Sequence, residues 1–199
     1  MSNRYIKKAI LVLIVISLVV RAFIAGMIEL GNDEVYYWIY AVYPDWSHFD
    51  HPPMVGWMIQ LFTLNLLFDQ AFFLRLTSII FGTLGTWLVY IIGTRLKNKR
   101  TGFYAALIYT ASIYCFIISG TFILPDASQS LFWLLSLYLL IDGLTTVEIT
   151  DKQRRNILFA GCTIGLALLS KYTSAFLWAG ALGYIILYKR QWLREKTLY

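Results

Sequence analysis

The sequence predicts an all-α integral membrane protein of about six transmembrane helices, with a long extracytoplasmic first loop carrying interfacial helices. Three observations predict it. Of the 199 residues, 59% are hydrophobic and only 14% charged, against about 45–50% and about 25% in an ordinary soluble domain. The apolar residues fall in runs, several of them near the roughly 20 residues that span about 30 Å of hydrocarbon as a helix. The basic residues stand in short clusters between those runs, which is the pattern of membrane topology. The net charge of +6 therefore does not indicate a nucleic-acid partner, because no single basic patch forms.

The first apolar run, Ala9 to Ile28, follows Arg4, Lys7 and Lys8. It is longer than the about 7–15 residues of a signal-peptide core, and no small-x-small site leads into a polar domain, so it reads as an uncleaved first span. Further runs cover 72–94, 102–119, 127–144 and 157–188. The last is too long for one span and divides at Lys171 into 157–170 and 172–188. Every span is expected to be helical, because unpaired backbone groups are too costly in lipid.

Met54 to Phe68 is apolar but short, and Gln60 and Asn65 interrupt it. If it lies flat, four basic clusters share one side: Arg4/Lys7/Lys8, Arg95/Lys97/Lys99/Arg100, Lys152/Arg154/Arg155 and Lys189/Arg190/Arg194/Lys196. If it crosses, the first cluster falls opposite the others. The positive-inside rule favours the flat arrangement and hence an interfacial helix. Both termini are then cytoplasmic. The outer face holds Glu29, Asp33, Glu34, Asp45, Asp50, Asp69 and Asp126, with only Arg21, Arg75 and Lys171. Asp33, His51, Asp126 and Lys171, far apart in sequence, are expected at that one surface.

Gly31-Asn32-Asp33-Glu34-Val35-Tyr36-Tyr37-Trp38 opens the loop. Acids favour a helix N-terminus, and aromatics favour the membrane interface. Capping explains one acid better than two adjacent ones, so the pair is equally a candidate for proton transfer. In Asp50-His51-Pro52-Pro53, Pro52 holds His51 extended and Pro53 suits a first helical turn. That is a stiff turn, or a rigid presentation of a carboxylate and an imidazole to a phosphate or a metal. His48 reads as solvated. Asp126, after Pro125, is a cap or a functional acid on the same face. Lys171 is a snorkelling cation at a helix end or a point charge for phosphate. Arg21 and Arg75 invite the same two readings, with snorkelling the better one for Arg21. Cys115 and Cys162, inside apolar segments, read as small core residues, neither disulfide nor metal ligands. No internal repeat, low-complexity segment or soluble domain stands out.

The order DEVYYW, HFDHPPMVGW, FILPDA, GLALLSKYT resembles the family 39 glycosyltransferases of the GT-C superfamily, which include protein O-mannosyltransferases and lipid A aminoarabinose transferases. The likeness runs from about Arg21 to Arg190. It implies one transmembrane glycosyltransferase module over 1–199, incomplete at its C-terminus, with residues 29–70 as its extracytoplasmic catalytic loop. It implies a polyprenyl-phosphate sugar donor, a protein, lipid or glycan acceptor and inversion at the anomeric centre, all in the cell membrane. By the same resemblance Asp33, with Glu34 beside it, matches the catalytic acid, and His51 matches the segment beside the lipid phosphate. Lys171 joins His51 at that phosphate. Asp50 and Asp126 are the expected ligands of a divalent cation, Mg or Mn. The aminoarabinose transferases have a lysine where this chain has His51. The alternative function is a non-enzymatic transporter or lipid-binding scaffold. Transporters place ionisable groups near the midplane, whereas here they gather at helix ends.

Overall fold

A computed structural model describes residues 3–146 and 148–198. Among them every regular element is helical, and no strand occurs. The α-helices are α1 (Asn3–Met27), α2 (Asn32–Val42), α3 (Met54–Phe62), α4 (Ala71–Leu74), α5 (Leu76–Leu96), α6 (Lys99–Ala111), α7 (Pro125–Leu144), α8 (Asp151–Ser170) and α9 (Ala175–Tyr188). By length and composition α1, α5 and α7 can each cross a membrane, and Tyr172–Tyr188 forms a shorter apolar helix. The protein is an all-α membrane protein.

Small residues set how the long helices pack. A Cβ on Gly82 of α5 would stand 2.6 Å from the Gly120 Cα, so α5 and the segment before α7 meet backbone to backbone. α5 packs against both α6 and α7, and α8 lies along α7. The expected division at Lys171 is present. α8 ends at Ser170, Lys171 is extended, and a 3₁₀ turn over Tyr172–Ser174 starts the next helix.

Two expected elements differ in detail. The Met54–Phe68 helix is shorter than the sequence suggests, because α3 stops at Phe62. Leu64, Asn65 and Leu66 take left-handed φ values of 51°, 59° and 64°. Thr63 stabilises this turn: its hydroxyl donates to the Ile59 carbonyl at 2.7 Å and accepts from Leu66 N–H at 2.9 Å. Gln60, which reads as an interruption, donates to the Ala41 carbonyl at 3.0 Å and ties α3 to α2. The 102–119 run is also not one helix. It breaks at the extended Ser112, and a π-helical turn follows over Tyr114–Ile118.

The helices sort the charges into two ends. At one end lie the α1 C-terminus, α2, α3 and the starts of α5, α7 and α9. At the other, Asp142 at the α7 terminus pairs with Arg95 of α5 and with Lys152 of α8, the latter at 3.2 Å. Arg154 pairs there with Glu195 at 2.9 Å.

Arg21 does not snorkel. It is fully buried, donates to the Cys115 carbonyl at 3.3 Å and lies 4.8 Å from the Phe116 ring centroid. The arginine faces the π-helical turn instead of lipid, where it meets carbonyl oxygen and an aromatic face. Cys162 is exposed on α8, so it is not a core residue, and Cys115 is half-buried.

Candidate functional site

Four acids and three cations meet at the Asp33 end. The α2 helix starts it. Gly31 N–H donates to Glu34 Oε2 at 3.0 Å, so Glu34 closes the first turn from within. The same carboxylate faces inward and is buried. Arg75, at the junction of α4 and α5, donates to it twice: Nε to Oε1 at 2.7 Å and Nη2 to Oε2 at 2.6 Å. This is the bidentate geometry that favours arginine over lysine. The remaining Arg75 donors reach the carbonyls at the C-terminal end of α1, those of Ala25, Ile28 and Glu29, at 2.8, 2.6 and 3.0 Å. Ile123 N–H adds a further donor to Glu34 Oε1 at 3.0 Å. One ion pair thus joins α1, α2, α5 and the strand-like approach to α7.

Asp33 is held in place by this clamp and is itself free. It is exposed, and no hydrogen bond or ion pair engages it among the described residues. It lines a cavity of about 410 Å³ with Ile28, Glu29, Asn32, Phe122 and Leu124.

Tyr36, Tyr37 and Tyr40, at helical spacing, carry the other wall. Asp50 Oδ1 accepts from Tyr36 at 2.7 Å and from Tyr40 at 2.5 Å. Those hydroxyls, Tyr40's first and then Tyr36's, hold the Asp50 carboxyl down at about 2, although burial opposes them. The Tyr40 hydroxyl is pushed up in turn, by burial first and then by Asp50. His51 Nδ1 lies 3.1 Å from Asp50 Oδ2, yet it makes no well-directed hydrogen bond. The contact is therefore one of charge and operates when the imidazole is protonated. His48 is not merely solvated: it stacks on Tyr40 with centroids 3.7 Å apart.

Asp126, at the start of α7, pairs with Lys171 across two helices, with Nζ at 2.9 and 3.0 Å from the two carboxylate oxygens. The Tyr114 hydroxyl also donates to Asp126, and the π-helical turn sets Tyr114 there.

Tyr37 shows that these groups share one region. Burial raises its hydroxyl first. The negative charges of Asp50, Asp126 and Asp33 then push it further, to about 12. Its ring also meets His51 edge-on at 5.5 Å. Asp33, Asp50 and Asp126 thus act on one tyrosine through their charge, His51 meets its ring, and Lys171 adjoins through Asp126.

The fit of a divalent cation can be judged from the donors. Among the described residues no three His, Cys, Asp or Glu side chains gather as a ligand set. Asp50 is committed to two tyrosine hydroxyls, and Asp126 is already neutralised by Lys171. The expected Asp50/Asp126 cation does not fit this arrangement.

The sequence alone gives Arg75 no definite partner and reads the tyrosines as aromatics of the membrane interface. The Tyr36/Tyr37/Tyr40 spacing was the available signal for one face. Nothing local signals that Arg75 would meet Glu34, 41 positions away.

An all-helical membrane protein with an acid-rich, cation-paired end is the class that fold and site define. The family model described as dolichyl-phosphate-mannose-protein mannosyltransferase matches residues 50–199. The chain belongs to that family, a family of membrane glycosyltransferases. The matched stretch takes in Asp50, His51, Asp126 and Lys171 and begins after Asp33 and Glu34. No curated protein and no solved structure matches the chain.

Proposed function

We propose that the chain transfers a sugar from a polyprenyl-phosphate donor to an acceptor at the extracytoplasmic membrane surface, with inversion. Asp33 is the general base. The acceptor oxygen attacks the anomeric carbon as its proton passes to Asp33. The bond from that carbon to the phosphate oxygen breaks, and polyprenyl phosphate leaves with the electron pair. An acceptor phosphate would arrive already ionised and would need no base, so Asp33 favours a hydroxyl acceptor.

The observation that carries this reading is the contrast among the acids. Glu34, Asp50 and Asp126 are committed to partners, whereas among the described residues Asp33, like Glu29 beside the same cavity, has a carboxylate with none, and of these two Asp33 belongs to the DE pair that opens α2. Of the Asp33-Glu34 pair, Asp33 carries the catalytic role and Glu34, bound by Arg75, holds the frame. A lysine ammonium has three donors, and Asp126 takes two from Lys171, so one remains for a phosphate oxygen. His51, with Nδ1 3.1 Å from Asp50, supplies a second contact. Both would stabilise the phosphate as negative charge builds on the departing oxygen.

Asp33→Asn removes the proton acceptor and keeps the side-chain size. Transfer should fall by about 10²–10⁴-fold with donor binding unchanged. Near-normal turnover by this variant would eliminate Asp33 as the base.

A further inference from the structure

Arg21 is a buried cation that the proposed transfer leaves unused. It lies towards the C-terminal end of α1 and is fully buried. A charge inside a span is costly, and it is normally paired. Arg21 Nη2 meets a backbone carbonyl, that of Cys115 at 3.3 Å, rather than an acid. Its Nε and Nη1 find no hydrogen-bond partner among the described residues. Backbone closes in on them. A Cβ on Gly120 would stand 3.0 Å from Nε, and one on Gly82 would stand 3.2 Å from Cζ. Those walls leave no room for an anion at Nε, so the guanidinium serves the chain that it touches.

That chain is the π-helical turn over Tyr114–Ile118. Ser119 N–H reaches back to the Tyr114 carbonyl at 2.9 Å, one residue further than in an α-helix. A widened turn displaces carbonyls from their usual donors, and in a membrane they need others. Arg21 takes the Cys115 carbonyl while its guanidinium lies 4.8 Å from the Phe116 ring centroid. The Thr121 hydroxyl donates to the next carbonyl, that of Phe116, at 2.7 Å. Two consecutive carbonyls of one turn are thus held by side chains. The first residue of the turn is Tyr114. Its hydroxyl donates to Asp126 Oδ1, the oxygen that Lys171 Nζ also reaches, at 2.9 Å. Relaxing the turn to an α-helical one would drop a residue from it. At 3.6 residues per turn, that swings Tyr114 by about 100° relative to Asp126.

We infer that Arg21 and Thr121 hold this π-helical turn in register so that Tyr114 shares the Asp126 carboxylate with Lys171. Arg21 is then a positioning residue for the phosphate contact. This rests on the reading of Lys171 given above. By taking part of the Asp126 charge, Tyr114 loosens that carboxylate's hold on Lys171 and leaves the ammonium to a phosphate. A buried cation without an acid adds little stability, so its removal should disturb the register of the turn more than the fold.

The test uses the full chain in lipid nanodiscs. 3-Fluorotyrosine placed at 114 reports its bond to Asp126 by ¹⁹F NMR, and undecaprenyl phosphate is the binding probe. Arg21→Met should stay folded, shift the 114 resonance toward that of a solvent-exposed tyrosine and weaken the probe about tenfold. That is the loss typical of one hydrogen bond to a charged group. Arg21→Lys keeps a donor for the Cys115 carbonyl and should restore most of both signals. Tyr114→Phe should lose the same tenfold, and adding Arg21→Met to it should lose nothing more. Additive losses, or an unmoved 114 resonance in Arg21→Met, overturn the inference. If Arg21→Met does not fold, Thr121→Val probes the same turn by releasing the Phe116 carbonyl, and an unmoved resonance there overturns the inference equally. Normal probe binding by Lys171→Gln would instead remove the reading of Lys171. The ¹⁹F comparison needs no lipid phosphate and still decides whether Arg21 sets Tyr114.

Discussion

At the scale of single residues, adjacent acids have opposite fates. Asp33 and Glu34 differ by one methylene, but helical geometry turns one outward and the other into the core. Glu34 receives Arg75 in the interior, and truncating one partner of a buried pair typically costs about 3–5 kcal/mol. Glu34→Gln and Arg75→Met should each lower the unfolding temperature in detergent strongly. The double variant should lose less than the sum, because each single change strands the other partner. Additive losses would show that the two residues act independently. Asp33→Asn, at an exposed position, should leave the unfolding temperature unchanged, which separates chemistry from architecture. Much of this site is legible in the residue string, since the acids and Lys171 are named by charge at a membrane surface. The free carboxylate is not. Which acid stays free depends on where Arg75 arrives, and that is a tertiary fact.

At the scale of elements, the apolar runs give the long helices but not their ends. α1, α5 and α7 follow directly from hydropathy. α3 stops early because Thr63 turns the chain into three left-handed residues, and hydropathy carries no record of such a turn. The 102–119 run breaks at Ser112 for a similar reason, its continued apolarity concealing a change of backbone. The α2–α3 contact has a sharper requirement. A Cβ on Gly56 would lie 2.6 Å from the Tyr40 carbonyl oxygen. Backbone cannot give way as a side-chain tip can, so Gly56→Val should force the helices apart at a cost of about 1–3 kcal/mol. Tyr40 would move from Asp50, and the stacked His48 with it. The Asp50 carboxyl, held at about 2 by those hydroxyls, should then titrate closer to an ordinary aspartate. NMR of a carboxyl-labelled Asp50 would read the shift. An unchanged Asp50 in this variant would show that the loop keeps its network without α2–α3 contact.

At the scale of the whole molecule, two kinds of charge chemistry divide the ends of the bundle. One end holds Asp33, Asp50, Asp126 and the clamp of Glu34 and Arg75. The other holds the basic clusters, partly tied down by Asp142 and Glu195. Lys and Arg near span ends favour the cytoplasm, whereas acids have little influence on orientation. The cluster-rich end should therefore face inward and the Asp33 end outward. Asn32 and Asn98 sit at opposite ends and are both exposed, so cysteines placed there report the orientation directly. With Cys115 and Cys162 replaced by alanine, Asn32→Cys should react with an impermeant thiol reagent in intact cells. Asn98→Cys should react only after the membrane is permeabilised. Its loss of the cap bond to Thr101 N–H costs about 1 kcal/mol, too little to reorient a multispan protein. Labelling at position 98 in intact cells, with protection at 32, would invert the topology. The proposed transfer would then take place on the cytoplasmic surface.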